Sequence, residues 1–273
     1  MDYGQGDEKI MIKKTNARHG DFYIFEKDLY ISRCLDLYGE WSEAEMLIYN
    51  TFIKKEHIVI EVGSHIGSFT VPIAKLAKSV FSFEPQRTVF QVLNTNLIIN
   101  NVHNVYSYMN AVGKEEKLLW LKEIDYKSIT SLDEGFNSGG IHLNQITAES
   151  NGYPCKQITL DSFIPKEAEV SFIKVDAEEM EIDVLKGATD LINKNKPVMY
   201  LESHMSNTEL PEYVATLGYK VFEHIPMNFN PDNYKNNQTR VLGFDKNVEH
   251  MHDYMLLCIP NEMPFETNLK QLK

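Results

Sequence analysis

The sequence predicts a doubly wound, Rossmann-like α/β fold with a mostly parallel seven-stranded sheet and an antiparallel hairpin at one edge. Three observations point there. Short apolar, β-branched runs alternate with stretches of helical period. A glycine turn directly follows the first such run. A polar or acidic residue ends each core run, where open parallel sheets bind their ligands.

Taken in order, a polar tail leads into a β-like run from Asp21 to Tyr30. Ser42 followed by Glu45 has the spacing of a capping box, so a helix is expected to begin there. His57 to Val62 reads as a strand buried on both faces. A helix to Ala77, a strand Val80 to Phe83 and a helix Arg87 to Asn100 follow, the last with Phe90, Leu93 and Leu97 on one stripe. Val105 to Met109 and a peripheral Lys117 to Lys122 are further strands. Residues 125–155 show no period and are long for a simple connection, as a functional loop or lid would be. Then come a strand Val170 to Val175, a helix Glu178 to Asn193, a strand Val198 to Glu202, a helix Thr208 to Leu217 and a strand Tyr219 to Glu223. After a loop-like stretch, a last strand runs from Asp253 to Ile259. The α/β domain is thus expected over residues 51–262, with an N-terminal extension over 1–50 and a C-terminal tail over 263–273.

The chain has 273 residues and a formal net charge of −12. Affinity for nucleic acid rests largely on cation–phosphate contacts, so a nucleic-acid substrate is not expected. Cys34, Cys155 and Cys258 have neither metal nor disulfide spacing, which suits a reducing compartment. With no signal peptide and no long apolar span, a soluble cytoplasmic protein with no membrane partner is expected, and a homo-oligomer is compatible with this.

The chemistry concentrates at the strand ends. Glu61-Val62-Gly63-Ser64-His65-Ile66-Gly67 closes the first core strand. The spacing Gly-x-x-x-Gly differs from the three-glycine fingerprint that surrounds a pyrophosphate, which disfavours a nicotinamide-dependent oxidoreductase. Glu61 before the turn also disfavours a phosphate. A phosphate-free cofactor bearing an ammonium group fits better, and S-adenosylmethionine is one. Glu84, at the end of the next strand, is placed to accept hydrogen bonds from both ribose hydroxyls.

Taken together, EVGSHIGSFT (61–70), FEPQRTVFQVLNTNLIINNVHNV (83–105), NAVG (110–113), LDSF (160–163), FIKVDAEEMEIDVLKGA (172–188) and PVMYLES (197–203) resemble the FkbM-type methyltransferases. The resemblance implies a class I methyltransferase fold, S-adenosylmethionine as donor, and most often O-methylation of sugars, glycoconjugates or secondary metabolites. On this sequence it implies that Glu61, Gly63 and Gly67, with Ser64 and His65 between them, surround the methionine portion. Glu84 would hold the ribose, Asn110 and Ala111 would lie near the adenine, and Asp176 would border the donor. Two positions depart from the pattern. His65 replaces an asparagine, and Glu179 replaces a glycine; if that glycine needs a positive φ, the backbone near Asp176 must differ.

A hydroxyl acceptor must lose its proton. Asp176 and Glu202 end adjacent strands and head the candidates, with His204 and Glu181; Glu178 and His65 are also considered. A hard cation held by Asp176, Glu202 and His204 is a secondary reading, and no metal ligand set is assigned. Carboxylates in a first helical turn also simply suit the helix dipole, and for Glu178 and Glu179 that explanation ranks first. His142 is a solvated loop residue or lines the acceptor pocket. Tyr38 and Trp41 either close over the donor or pack beneath it. A non-catalytic binding protein on the same fold, and an N-methyltransferase for a small amine, remain as alternatives.

Overall fold

The computed structural model describes residues 12–122, 137–139, 152–239 and 252–272. Two antiparallel strands, β1 (Ile12–Ala17) and β2 (Gly20–Phe25), open the chain. Helix α1 (Ile31–Tyr38) follows, then a 3₁₀ turn Glu43–Glu45 and α2 (Met46–Phe52). The run expected to stay extended to Tyr30 therefore ends at Phe25, and α1 was not anticipated. The capping box does not form. Ser42 adopts φ 41 and its side chain caps nothing, while Glu45 turns inward and accepts from the Tyr49 hydroxyl at 2.8 Å.

The central unit alternates β3 (Ile58–Val62), α3 (Thr70–Leu76), β4 (Ser79–Phe83), α4 (Arg87–Ile99) and β5 (Val105–Tyr108), as the periodicity predicts. Strands β6 (Ala111–Val112), β7 (Lys117–Lys122) and β8 (Gly152–Ile158) form a separate small sheet in the order β6-β8-β7. The chain returns through α5 (Leu160–Phe163) to β9 (Val170–Val175), α6 (Glu181–Lys186), α7 (Thr189–Asn195) and β10 (Val198–Glu202). It ends with α8 (Glu209–Thr216), β11 (Tyr219–His224), β12 (Met255–Pro260) and β13 (Lys270–Gln271).

The single helix expected from Glu178 to Asn193 is two helices. A Cβ on Gly187 would stand 2.0 Å from the Gly113 carbonyl oxygen, so the chain is pinned against its neighbour where a continuous helix would pass. The stripe itself is right: Leu185, Ala188 and Ile192 are all fully buried.

The main sheet has eight strands in the order β13-β11-β12-β10-β9-β3-β4-β5. From β10 to β5 all neighbours are parallel. The antiparallel strand is interior: β12 slots between β10 and β11 and pairs with both. Residues Lys270–Gln271, in the expected tail, add the eighth strand on β11. Helices α6, α7 and α8 bury Val184, Ile192 and Val214 against one face. Helices α2 and α3 cover the other with Ile48 and Ile73, and α4 continues that layer with Leu93 and Leu97 against the β1–β2 hairpin. The sheet is thus wound on both sides, and the tips of β3, β4, β9 and β10 are left to converge at one rim. No helix among the described residues is long and apolar enough to cross a membrane.

Candidate active site

The glycine turn after β3 is fixed by the chain beneath it. The amides of Gly63 and Ser64 both donate to the Phe83 carbonyl, at 3.0 and 3.1 Å, which ties the turn to the end of β4. Gly63 has φ 81, and a Cβ there would lie 1.7 Å from the backbone oxygen of Asp176. Gly67 has φ 88 and its missing Cβ faces Leu93 at 2.8 Å, so its smallness serves the seating of α4. His65 between them takes φ 47, a left-handed conformation in which histidine, like asparagine, is enriched.

Glu84 stitches this turn to the next one. Its two carboxyl oxygens accept from the amides of His65 at 3.0 Å and Gln86 at 2.8 Å. It is 3% exposed, and burial raises its pKa to about 7 against those two bonds. Gly63, Glu84, Asn110, Ala111 and Asp176, expected from sequence to surround the donor, line one common cleft. That cleft has three carboxylates, the third from Glu178, and no lysine or arginine among its described lining residues.

Other expected residues stand behind the cleft. Glu61 is 1% exposed, and one of its oxygens has no hydrogen-bond partner among the described residues; burial lifts its pKa to about 7. The Ser64 hydroxyl accepts from Ser82 at 2.6 Å. The His65 ring meets the Ser138 hydroxyl at 2.6 Å, and Ser138 is held by Asp28 at 3.1 Å and Gln86 at 3.0 Å. Ser138 and Gln86 carried no signal in the sequence, because their role depends on contacts across more than fifty positions. Tyr38 is elsewhere: its hydroxyl donates to the Thr239 carbonyl at 2.6 Å and its ring packs edge-on to Phe229. It is not among the described residues that line the cleft. His142 lies outside the described residues.

The tips of β9 and β10 carry the second feature. Asp176 and Glu202 lie side by side, each one step past the paired residues Val175 and Leu201 of β9 and β10, and the hydrogen bond between them lowers the Asp176 carboxyl and raises that of Glu202. Burial and the charge of Asp176 push the Glu202 carboxyl well above its ordinary range. Burial would raise Asp176 too, but the Lys174 ammonium and the bond from Glu202 outweigh it and hold Asp176 low. Lys174 reaches Asp176 at 2.9 Å from a side chain that is 2% exposed, beneath the Phe69 ring. Lys174 was assigned no role from sequence; the signal available was a lysine beside the buried Phe172, Ile173 and Val175 of a central strand.

Glu202 opens onto a larger cleft of about 550 Å³, together with Glu178, Glu181 and His204. Glu181 is 4% exposed, and its carboxylate accepts from the Ala177 amide at 3.0 Å. His204 is exposed and its ring contacts the Ser206 hydroxyl at 3.0 Å. No group of three or more His, Cys, Asp or Glu among the described residues is placed to hold a metal ion. Glu178 and Glu179 have φ 49 and 70. The turn thus has a left-handed backbone with glutamate at the position where the family pattern has glycine. The glutamates carry the strain, roughly 1–2 kcal/mol each.

A parallel sheet bearing this strand order, with a glycine turn and a carboxylate at successive strand tips, has the class I methyltransferase fold. The chain belongs to the FkbM methyltransferase family, whose domain model matches residues 61–242. A protein described as Methyltransferase 1, from Beauveria bassiana (strain ARSEF 2860), is 21% identical over 185 residues, which cover 61% of this chain and 67% of that protein. A FkbM methyltransferase structure from Methylobacillus flagellatus KT is 15% identical with a TM-score of 0.43, over 78% of this chain and 50% of that one. An S-adenosylmethionine-dependent O-methyltransferase structure from Thermotoga maritima is 12% identical with a TM-score of 0.47, over 93% and 79%.

Proposed function

We propose that this protein transfers a methyl group from S-adenosylmethionine to a hydroxyl of a small molecule such as a sugar, a glycoconjugate or a secondary metabolite. One observation carries the reading. Two clefts of different character meet at the sheet rim, and the bonded pair Asp176–Glu202 joins them, Asp176 lining the first and Glu202 the second.

The residues of the first cleft suit the donor. It offers carboxylates and no cation among its described lining residues, which matches a cofactor with an ammonium group and no phosphate. The unpartnered oxygen of buried Glu61 lies behind it, and the bare backbone of Gly63 lets the turn sit close against Asp176. Glu84 keeps lone pairs free beyond its two amide bonds and would hold the ribose. Asn110 and Ala111 would border the adenine. When bound, the donor supplies a methyl carbon activated by its sulfonium. The protein's own part is to align the acceptor, exclude water and receive the acceptor's proton.

The second cleft is lined by five carboxyl side chains and by no lysine or arginine among the described residues. That disfavours phosphorylated and nucleic-acid acceptors and favours neutral polyols. The same lining also suits a cationic amine, which makes N-methylation of a small amine the second reading. Calorimetry with S-adenosylhomocysteine tests the donor, and label transfer from methyl-labelled S-adenosylmethionine to panels of polyols, amines and tRNA tests the acceptor. No heat with S-adenosylhomocysteine would sink the proposal; label entering only amines would select the second reading.

A further inference from the structure

Lys174 lies outside the lining of both clefts. A lysine buried in a central parallel strand is costly unless its charge is matched. Here the match is specific: Nζ stands 2.9 Å from one oxygen of Asp176, whose side chain is 38% exposed and opens onto the first cleft. On the far side Asp176 accepts from Glu202, which opens onto the second. Lysine, aspartate and glutamate thus form one line from core to acceptor cleft.

We propose that Lys174 is the positioning residue of the site: its ammonium fixes Asp176 as the charged, oriented member of the pair, so that Asp176 and Glu202 together retain room for the proton an acceptor must lose. This rests on the methyl-transfer reading above.

The surroundings leave this task to Lys174. Glu61 and Glu84 face Asp176 from β3 and β4, and Asp253 from the chain just before β12. Glu178 and Glu181 face it from the turn and from α6. All five are carboxyls, and each is better tolerated if Asp176 is neutral. The other basic group that acts on Asp176 among the described residues, His65, is driven toward its neutral form by burial. Without the lysine, Asp176 would take a proton, the pair would be full, and it would accept nothing. With it, the exchange balances. The acceptor's oxygen forms its bond to the methyl carbon as the carbon–sulfur bond breaks with its electrons left on sulfur. The O–H proton passes to the pair, which then holds two protons in place of one until solvent removes the second.

Infrared spectroscopy of the full chain near neutral pH counts buried protonated carboxyls directly. The expected result is a gain of protonated-carboxyl intensity in Lys174→Met over wild type, no gain in Lys174→Arg, and a smaller gain when Asp176→Asn is added to Lys174→Met, what is left coming from Glu61 beside the lysine. Glu202→Gln, with the lysine intact, should lose one band. The proposal is overturned if Lys174→Met gains nothing or if adding Asp176→Asn leaves that gain undiminished. Should Lys174→Met fail to fold, an unchanged band count in Glu202→Gln overturns it alone. Calorimetry with S-adenosylhomocysteine on the same wild-type sample separates the two ideas: absent heat removes the methyl-transfer reading, whereas the band count judges the lysine.

Discussion

The backbone oxygen of Asp176 occupies the space into which a side chain on Gly63 would grow, 1.7 Å from where its Cβ would be. The glycine at the tip of β3 is thus demanded by the neighbouring strand tip as much as by any ligand. Gly63→Ala combines that clash with a φ of 81 and should destabilise the protein by at least about 2 kcal/mol, read by urea denaturation. A change below about 0.5 kcal/mol would show that the β3 and β9 tips are not locked together.

Glu179 offers the opposite case. Its φ of 70 suits glycine, so Glu179→Gly should stabilise by about 0.5–1 kcal/mol, relief of left-handed strain being partly offset by unfolded-state entropy. Glu179→Val should destabilise. The midpoint of chemical denaturation ranks the three proteins.

Removing Glu84 takes an acceptor from the amides of both His65 and Gln86 and loosens the turn around the proposed donor. Glu84→Ala is expected to weaken S-adenosylhomocysteine binding by about 1–3 kcal/mol, measured by calorimetry. Unchanged affinity in a folded variant would remove Glu84 from the donor site.

Tyr38→Phe is expected to leave that affinity within about twofold and to lower stability by about 1 kcal/mol, because the hydroxyl bonds the Thr239 carbonyl. A large loss of affinity with little change in stability would return Tyr38 to the donor site.

Burial holds Glu45 at about 8, and Glu61 and Glu84 at about 7, against an ordinary value of 4.5. These groups keep protons in the folded state that the unfolded chain has released. Their contribution to stability is full below about pH 4.5 and is lost as the pH rises through 7 to 8. Asp176, held low, acts in the other sense only in the acid range. The ligand-free protein should therefore melt at a lower temperature in weakly alkaline than in weakly acidic buffer, and Glu84→Gln should flatten part of that slope. Thermal melts across pH that stay level would contradict the assignment.

The fold was legible wherever local pattern and burial agree. His57 to Val62 and Val198 to Glu202 are apolar, β-branched and bounded by turn residues, and both are central strands. Helix α1 was not legible, since Cys34 and Tyr38 are buried in a cluster that includes Phe229, far along the chain. The break at Gly187 likewise depends on Gly113.

At the rim, sequence alone determined which residues end each strand, because alternation and turn chemistry are local properties. It therefore placed Gly63, Glu84, Asn110, Ala111 and Asp176 at one edge of a parallel sheet. Tertiary structure alone decided which side each group faces and what charge it bears. Glu61 faces inward beside Lys174, Asp176 is held low with that lysine 2.9 Å away, and Glu202 is pushed up by burial and by its partner Asp176. Protonation inside a protein is set by the distances between buried groups, and those distances exist only once β3, β9 and β10 lie side by side.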